Sequence, residues 1–434
     1  MARDTREGPN ARSARRPVRQ FVRRIAVDLT PLRVSRDFAL IWWGEVVSQT
    51  GTQITTVALF IQVFQLTHSP VAVGAVGLVQ LVPMIVVALL FGPVIDRVDR
   101  RRILVLAQIG QAGGSSLLLV GAFMGHPPLL LLYAGAAVNA ALVSIALPTR
   151  SAVTPSLVPR ELLPAATALN QVMWNTAAVI GPALGGVVVV HFGLRWAYGI
   201  DLASYGVAFA CAVMLRPLVP QRDEHQEEER GVDAVLAGVR YLKGRKVLQS
   251  TFTIDIIAMV FGMPRALFPV LAATQFHRGP EVVGWLFSAV AAGALLGALT
   301  SGWVGRIKRM GTAILVAVAL WGGAITLFGF AGNRLWAALV LLGFAGAADV
   351  VSAVFRSSLQ QLTVPDALRG RLSSFNILVV TGGPRLGDFE AGVMASAFSP
   401  TVSVVSGGLL CIVGVGVIGL TVPRFARWRV GDPP

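Results

Sequence analysis

The feature that most constrains this 434-residue chain is a succession of long apolar stretches. A bilayer core about 30 Å thick is crossed by roughly 20 helical residues. Hydrophobic residues make up 54% of the chain and charged residues only 14%, which excludes an ordinary soluble domain. The sequence therefore predicts an all-α integral membrane protein with twelve spans, near residues 38–65, 71–93, 103–124, 129–148, 165–190, 196–215, 248–272, 282–302, 311–330, 335–354, 372–397 and 401–421.

The basic residues lie almost entirely on one side of these spans. That side holds both termini and every second loop, and it carries all 37 Lys and Arg residues except Arg195, Arg278, Arg334, Arg265 and Arg385. Because basic loops remain in the cytoplasm, we expect a multi-pass protein of the cell (cytoplasmic) membrane with both termini cytoplasmic. This topology accounts for the net charge of +15, so we expect contact with the lipid bilayer and no nucleic-acid partner.

A polar linker divides the chain into two halves. We predict a basic cytoplasmic tail over 1–37, a six-helix bundle over 38–215, a linker over 216–247, a second six-helix bundle over 248–421 and a tail over 422–434. Apolar residues recur at helical spacing within the linker, which indicates an amphipathic helix on the cytoplasmic face; they are Val232, Val235, Leu236, Val239 and Leu242.

The two halves repeat each other in sequence. An offset of 210 residues aligns Gly74 with Gly284, and an offset of 206 aligns Arg150 with Arg356 and Gly186 with Gly392. Six spans is an even number, so both halves insert in the same direction and are related by an axis along the membrane normal. Transporters with such repeats bind substrate between the halves near the membrane midplane.

Two acidic residues lie at equivalent positions inside membrane spans. Glu45 of the first span and Asp255 of the seventh are 210 residues apart, and Glu45 shares a helical face with Gln49 and Gln53. An ionised carboxylate inside a span costs about 2.5 to 3.5 kcal/mol on insertion scales. We predict that the two acids handle protons or line the substrate cavity. The alternative is that each pairs with a neighbouring helix.

Three further charges lie inside spans. Arg385 and Asp388 follow Gly-Gly-Pro in the eleventh span, where we predict a loosened backbone and mutual neutralisation at a spacing of three residues. Arg265, beside Pro264, is a candidate to bind an anionic substrate group or to act on Asp255. All three are assigned to proton coupling or to the substrate cavity, with an internal salt bridge as the alternative.

The loop between the second and third spans carries the most specific motif. Its pattern resembles the corresponding loop of the major facilitator superfamily, except that Asp99 stands where the family has a second Gly. The resemblance implies a cytoplasmic gate, in which this loop pairs with the opposite half. The gate residues are Gly92, Asp96, Arg97, Asp99, Arg100 and Arg101.

A second motif lies in the fifth span. It resembles the GPxxGG antiporter motif of exporting branches of the superfamily and implies close helix packing; its residues are Gly181, Pro182, Gly185 and Gly186. Small residues of the eighth span, Gly293, Gly297 and Ser301, are its expected counterpart. Many drug/proton antiporters have an Arg in the fourth span. The fourth span predicted here contains the polar Asn139 but no charged residue.

Longer stretches, at 149–159, 264–269 and 365–371, resemble the enterobactin-exporter-like and multidrug efflux branch. The resemblance implies a monomeric secondary active transporter that exports a siderophore or drug-like compound by proton antiport with alternating access. It implies no enzyme activity, metal or cofactor other than the proton gradient. The alternatives are an importer or uniporter of the same fold, or a membrane subunit or enzyme that depends on a partner, although phosphate-loop, HExxH and nucleophile-elbow motifs are absent from the sequence.

Overall fold

The computed structural model describes residues 28–95, 98–218 and 232–432. This part of the chain is all-α, as the apolar stretches predict. Its long helices, in chain order, are α1 (Arg36–Thr67), α2 (Pro70–Ile95), α3 (Arg100–Phe123), α4 (Leu129–Leu157), α5 (Leu163–His191), α6 (Leu194–Val213), α7 (Lys246–Phe261), α8 (Glu281–Thr300), α9 (Met310–Gly329), α10 (Leu335–Thr363), α11 (Asp366–Ala397) and α12 (Pro400–Thr421).

Ten spans in the described part of the chain are long and apolar enough to cross a membrane. The two long helices outside this set are α1 and α11, which have 32 residues each and carry charged residues along their length. Both pack inside the bundle, α1 against α5 and α6, and α11 against α2 and α7. The predicted all-α bundle of twelve long helices is therefore confirmed, with α1 and α11 both part of it.

The two halves, α1–α6 and α7–α12, meet mainly where α2 packs on α11 and α5 packs on α8. We call the end of the bundle that carries His68 and Phe398 the distal end, and the end that carries Ser35 and Val364 the proximal end. The helix pairs approach each other most closely near the distal end. That approach depends on glycines, because small residues let helix backbones come together.

Two glycine contacts at the distal end are related by the sequence repeat. A Cβ atom added to Gly74 would lie 3.1 Å from Cα of Gly392, and one added to Gly284 would lie 3.2 Å from Cα of Gly186. The offset of 210 residues relates Gly74 to Gly284, and the offset of 206 residues relates Gly186 to Gly392. The two halves are thus closed against each other at the distal end by the same contact made twice.

Helices α4 and α10 continue beyond their predicted ends. They run to Leu157 and Thr363, whereas the apolar runs stop near residues 148 and 354. As a result Arg150 and Arg356, which were expected in loops, lie inside helices. The prediction failed because polar residues end an apolar run, while a helix continues wherever a neighbouring helix neutralises its charge.

The seventh span is broken and the eleventh is not. Helix α7 ends at Phe261, and the chain resumes through a 3-10 turn, Arg265–Leu267, into the short helix Phe268–Thr274. The carbonyl of Gly262 at the break accepts a 3.1 Å hydrogen bond from Nε1 of Trp321. Helix α11, in contrast, passes through Pro384 without interruption, so the loosened backbone predicted there is wrong.

Three short helices lie at the proximal end: Thr30–Val34, Val232–Leu242 and Pro423–Ala426. The linker contains the helix Val232–Leu242, which packs against α11. Its Leu242 is buried, whereas Leu236 and Val239 are exposed. Most of the predicted basic tail, residues 1–27, lies outside the described residues.

Candidate functional site

A buried ion pair joins α1 to α4 in the first half. Nη1 of Arg150 donates a hydrogen bond of 2.5 Å to Oε1 of Glu45, and the Glu45 side chain is 6% exposed. Gln49, one turn further along α1, also faces the carboxylate. The pairing satisfies a carboxylate that would otherwise be costly inside a span. Gln53 lies farther along the same face, where the backbone of α5 approaches it at Gly181.

An equivalent ion pair joins α7 to α10 in the second half. Nη2 of Arg356 lies 2.8 Å from Oδ1 of Asp255, and both side chains are almost fully buried. Arg356 also donates a 2.7 Å hydrogen bond to the Ser352 hydroxyl. A second carboxylate, that of Asp349, lies 3.9 Å from the same guanidinium group. This half therefore places two acids around one arginine.

The two arginines are the site residues that the sequence predictions missed. The fourth span was predicted to carry no charge, and this is wrong because α4 extends to include Arg150. A signal was present in the sequence: Glu45 and Asp255 repeat at one offset, and Arg150 and Arg356 repeat at another. Charges of opposite sign that are duplicated together are candidates for pairing within each half.

A third charge cluster lies where the halves meet. Nη2 of Arg265, at the break after α7, donates a 2.8 Å hydrogen bond to Oδ2 of Asp388 in α11. Nη1 of Arg385 instead donates a 2.6 Å hydrogen bond to the carbonyl of Thr381. Arg385 and Asp388 therefore form no direct ion pair, although each charge still acts electrostatically on the other. The expected action of Arg265 on Asp255 is wrong, since Arg265 binds Asp388 and Asp255 binds Arg356.

This cluster faces the opposite half of the protein. A Cβ atom added to Gly77 of α2 would lie 3.0 Å from Cβ of Asp388. Two guanidinium groups accompany one carboxylate here, and the Nε atoms of Arg265 and Arg385 are buried without a protein partner among the described residues. The cluster therefore combines an excess of positive charge with unused hydrogen-bond donors, which suits binding of an anionic group.

The described part of the gate loop contacts its own half. The Asp99 carboxylate accepts hydrogen bonds from the backbone N–H groups of Arg101, at 2.9 Å, and Leu218, at 3.0 Å. Arg100 and Arg101 donate to the carbonyls of Ala152 and Val213, which belong to α4 and α6. Gly92 lies near the end of α2. The predicted gate residues Asp96 and Arg97 lie outside the described residues.

The glycines of α5 have two different neighbours. Gly181 and Gly185 face α1, whereas Gly186 faces α8, where a Cβ atom on Gly186 would lie 3.0 Å from the carbonyl oxygen of Glu281. Pro182 lies between them, inside the helix. This segment therefore packs α5 against both halves.

The expected counterpart of these glycines in α8 is corrected by the structure. Gly293 and Gly297 pack against α10, where a Cβ atom on Gly297 would lie 2.9 Å from Cα of Ala347. Ser301 begins the 3-10 turn that follows α8 and bonds to its own helix. The residue of α8 that meets Gly186 is Gly284. The spacing of four residues indicated a small-residue face correctly but did not identify the helix that packs on it.

Comparisons with known proteins agree with this architecture. The family described as transmembrane secretion effector matches residues 26–428. The enterobactin exporter EntS of Citrobacter koseri is 27% identical over 410 residues, which are 94% of this chain and 97% of that protein. A variant of the nucleoside transporter NupG has the same fold, with a TM-score of 0.73 at 11% identity over 89% of this chain and 99% of the other.

A bacterial homologue of the iron transporter ferroportin, solved in its inward-facing state, has a TM-score of 0.66 at 15% identity and covers 90% of this chain and 98% of its own. The two solved structures support the fold, and the family match supports the kind of protein. These relatives are transporters and not enzymes, and the chain is a multi-pass protein of the inner membrane. It follows that the chain belongs to the transmembrane secretion effector family of major facilitator transporters.

Proposed function

We propose that this transporter exports a small organic molecule from the cytoplasm in exchange for protons, by alternating access. The observation that carries the proposal is the duplicated ion pair, Glu45 with Arg150 and Asp255 with Arg356. Each pair joins the first helix of a half to the fourth. A carboxylate at such a joint binds its arginine when ionised and releases it when protonated, so proton binding is linked to helix packing.

The distal contacts support an assignment of the conformation. The glycine contacts of Gly74 with Gly392 and of Gly284 with Gly186 hold the halves together at the distal end. Basic residues favour the proximal end as the cytoplasmic one. On this assignment the structure is closed to the outside, and substrate enters from the cytoplasm. Release then requires the two glycine contacts to separate while the proximal ends come together.

The proton step follows from the charges. Protonation of Glu45 or Asp255 from the outside would remove the negative charge that holds Arg150 or Arg356 in place. An arginine left without its carboxylate is strongly disfavoured in a buried site. Its displacement would shift α4 or α10 relative to α1 or α7. Return to the state closed at the distal end would restore the pair and release the proton to the cytoplasm.

The interface cluster supports a substrate with an acidic or catechol-like group. The exporter from Citrobacter koseri is named for enterobactin, and we propose a siderophore or a related drug-like compound as the substrate here. Arg265 and Arg385 would bind its oxygen atoms, and Asp388 would limit the excess of positive charge when the site is empty. Arginine suits this role because its planar guanidinium binds oxygen pairs in a bidentate manner.

Transport by purified protein in liposomes tests the proposal. The vesicles are loaded with a catecholate siderophore or, separately, a cationic dye, and efflux is followed with and without an imposed pH gradient. Antiport predicts efflux that accelerates when the outside is acidic, relative to protein-free liposomes. Efflux that depends on protein but ignores the gradient would indicate a uniporter, and gradient-driven accumulation would indicate an importer.

A further inference from the structure

A fourth buried acid lies inside the first half, away from the interface between the halves. Asp201 of α6 is 0% exposed. The hydroxyl of Ser115 in α3 donates to its Oδ2, whereas Oδ1 has no hydrogen-bond partner among the described residues. The hydroxyl of Thr55 in α1 lies beside the carboxyl group without forming a well-aligned hydrogen bond. Three helices therefore enclose this carboxyl group.

No cation among the surrounding helices balances Asp201. From Ile103 to Phe123, α3 contains no ionisable side chain, and α5 contains none between Leu163 and Val190. Along α6 the phenols of Tyr198 and Tyr205 lie near Asp201, whereas the exposed Arg195 is turned away and binds the carbonyl of Ala122. The other ionisable group of α6 is the thiol of Cys211. The nearest acid of α1 is Glu45, and the arginine of α4, Arg150, is held by Glu45.

Too few hydrogen-bond donors surround Asp201 to stabilise an ionised carboxylate. Tyr198 donates its hydroxyl to Gln62 at 2.7 Å, and Tyr205 is engaged with Thr52 at 3.0 Å. A fully buried carboxylate that lacks a cation costs several kcal/mol, whereas the neutral acid avoids most of that cost. The surroundings of Asp201 therefore favour a carboxyl group that carries its proton.

Polar side chains of α1, α3 and α6 lie along the region from Asp201 to the ion pair of the first half. Tyr205 interacts electrostatically with Asp201, Glu45 and Arg150, so its phenol lies near all three. Five polar side chains of the neighbouring helices lie near this phenol or this acid: Ser48, Gln108, Gln111 and Ser115, which are buried, and Thr52, which is half-buried. We call these five side chains together with Tyr205 the polar file. The Oε1 atoms of Gln108 and Gln111 are acceptors without a protein partner in the described chain.

The polar file begins at a small cavity at the proximal end. Glu45, Arg150 and Gln108 line this cavity together with the apolar Leu40, Leu104 and Leu215. The cavity lies between α1, α3 and α6, so it is distinct from the interface where α2 meets α11 and α5 meets α8. This cavity is an exit for a proton from Glu45 toward the proximal end, and the rest of the polar file lies on the opposite side of Glu45, toward Asp201.

The second half has no counterpart of this acid. Helix α12 is the sequence equivalent of α6, and it contains no charged residue between Pro400 and Thr421. The repeat therefore preserves the two ion pairs but not Asp201. An asymmetric acid in an otherwise duplicated fold indicates a role that only one half performs.

We propose that Asp201 is a second proton-binding site, internal to the first half, which exchanges its proton with Glu45 through the polar file. In the transport cycle Asp201 holds a proton while Glu45 is paired with Arg150. It passes that proton to Glu45 when the pair opens and takes a proton back when the pair re-forms. The proposal extends the proposed proton antiport. Proton binding at Asp201 is nevertheless measurable without any transport, so the two can fail separately.

Difference infrared spectroscopy of the full-length chain in lipid tests the proposal. A protonated buried carboxyl group gives a resolved C=O band, and the band of Asp201 should change when the pH is stepped and shift in deuterated water. Asp201→Asn preserves size and hydrogen bonding but has no carboxyl group. Asp349→Asn, which removes a half-buried acid of the second half, is the matched control.

The expected result is a band that is lost in Asp201→Asn and retained in Asp349→Asn. Tyr205→Phe, which interrupts the polar file, should retain the band but slow its deuterium shift. If Asp201→Asn does not fold, Ser115→Ala decides, because loss of the hydroxyl donor should move the band to higher frequency. The absence of a titrating band in the natural chain, or an unchanged band in Asp201→Asn or Ser115→Ala, would overturn the proposal.

Discussion

Arg150 in α4 donates a 2.5 Å hydrogen bond to Glu45 in α1, across 105 residues of sequence. Its equivalent, Arg356 in α10, lies 2.8 Å from Asp255 in α7. The sequence repeat thus duplicates an ion pair between two helices as well as the helices themselves. Because each contact joins two helices of one half, its strength affects both stability and movement, and the two effects can be measured separately.

Loss of one partner of the ion pair should destabilise the first half more than loss of both. Arg150→Gln leaves Glu45 as an unpaired buried acid, for which we expect a loss of about 3 to 5 kcal/mol. The double variant Glu45→Gln with Arg150→Gln should recover a large part of that loss. Thermal unfolding followed by tryptophan fluorescence compares the natural chain, the two single variants Arg150→Gln and Glu45→Gln, and the double variant. Losses that simply add would show that the two side chains do not interact.

A larger side chain at the glycine contact of the distal end should prevent the two halves from closing there. Gly284→Val places a side chain against the backbone of Gly186, where even a Cβ atom would lie 3.2 Å from Cα. We expect slower transport and greater access of a membrane-impermeant thiol reagent to a cysteine introduced at the distal end. Gly199→Val is the control, because a Cβ atom there meets nothing within 4 Å. Equal effects of both substitutions would contradict the assigned closure.

Neutralisation of the acid in the interface cluster should favour anionic substrates. Asp388→Asn removes the charge that Arg265 now binds at 2.8 Å and frees its guanidinium group. We expect roughly tenfold tighter binding of a catecholate, equivalent to about 1.4 kcal/mol, and weaker binding of a cationic dye. Isothermal titration of the purified protein measures both. Glu390→Gln, which also removes one negative charge from α11, is the control, and an equal gain there would indicate a general charge effect.

The acid that replaces the family's glycine should stabilise the proximal end. Asp99 caps α3 and also binds the backbone N–H of Leu218, at the start of the linker. Asp99→Ala should cost about 1 to 2 kcal/mol, the usual effect of a lost N-cap. Asp99→Asn, which keeps an acceptor oxygen, should cost much less. Limited proteolysis of the linker and thermal unfolding report the difference, and an equal loss in both variants would assign the effect to charge.

The helices were predictable from the sequence because apolar length is a local property. The ends of α4 and α10 were not, since the partners that keep Arg150 and Arg356 inside helices lie far away in sequence. Arg385 and Asp388 show the same limit. Their spacing of three residues favours pairing on an isolated helix. In the folded protein the break after α7 brings Arg265 close to Asp388, and Asp388 pairs with Arg265 instead.

The glycines between the two halves show that a sequence can identify a packing surface of a helix without identifying the helix that packs on it. The repeat identified Gly74, Gly186, Gly284 and Gly392 as duplicated positions. It did not show that each glycine contacts a member of the opposite half, because the partner of a helix face is set by the whole bundle. Asp201 was missed for a related reason. A single acid in an apolar span attracts attention only when a repeat or a motif accompanies it.

The central claim is that the duplicated ion pairs couple substrate movement to protons. The most direct measurement is proton flux into liposomes while a catecholate substrate flows outward down its own gradient, followed with an internal pH dye. The natural chain should acidify the vesicle interior, and Glu45→Gln or Asp255→Asn should transport substrate with reduced or no acidification. Acidification that is unchanged in both variants, or absent in the natural chain during substrate flow, would contradict the account.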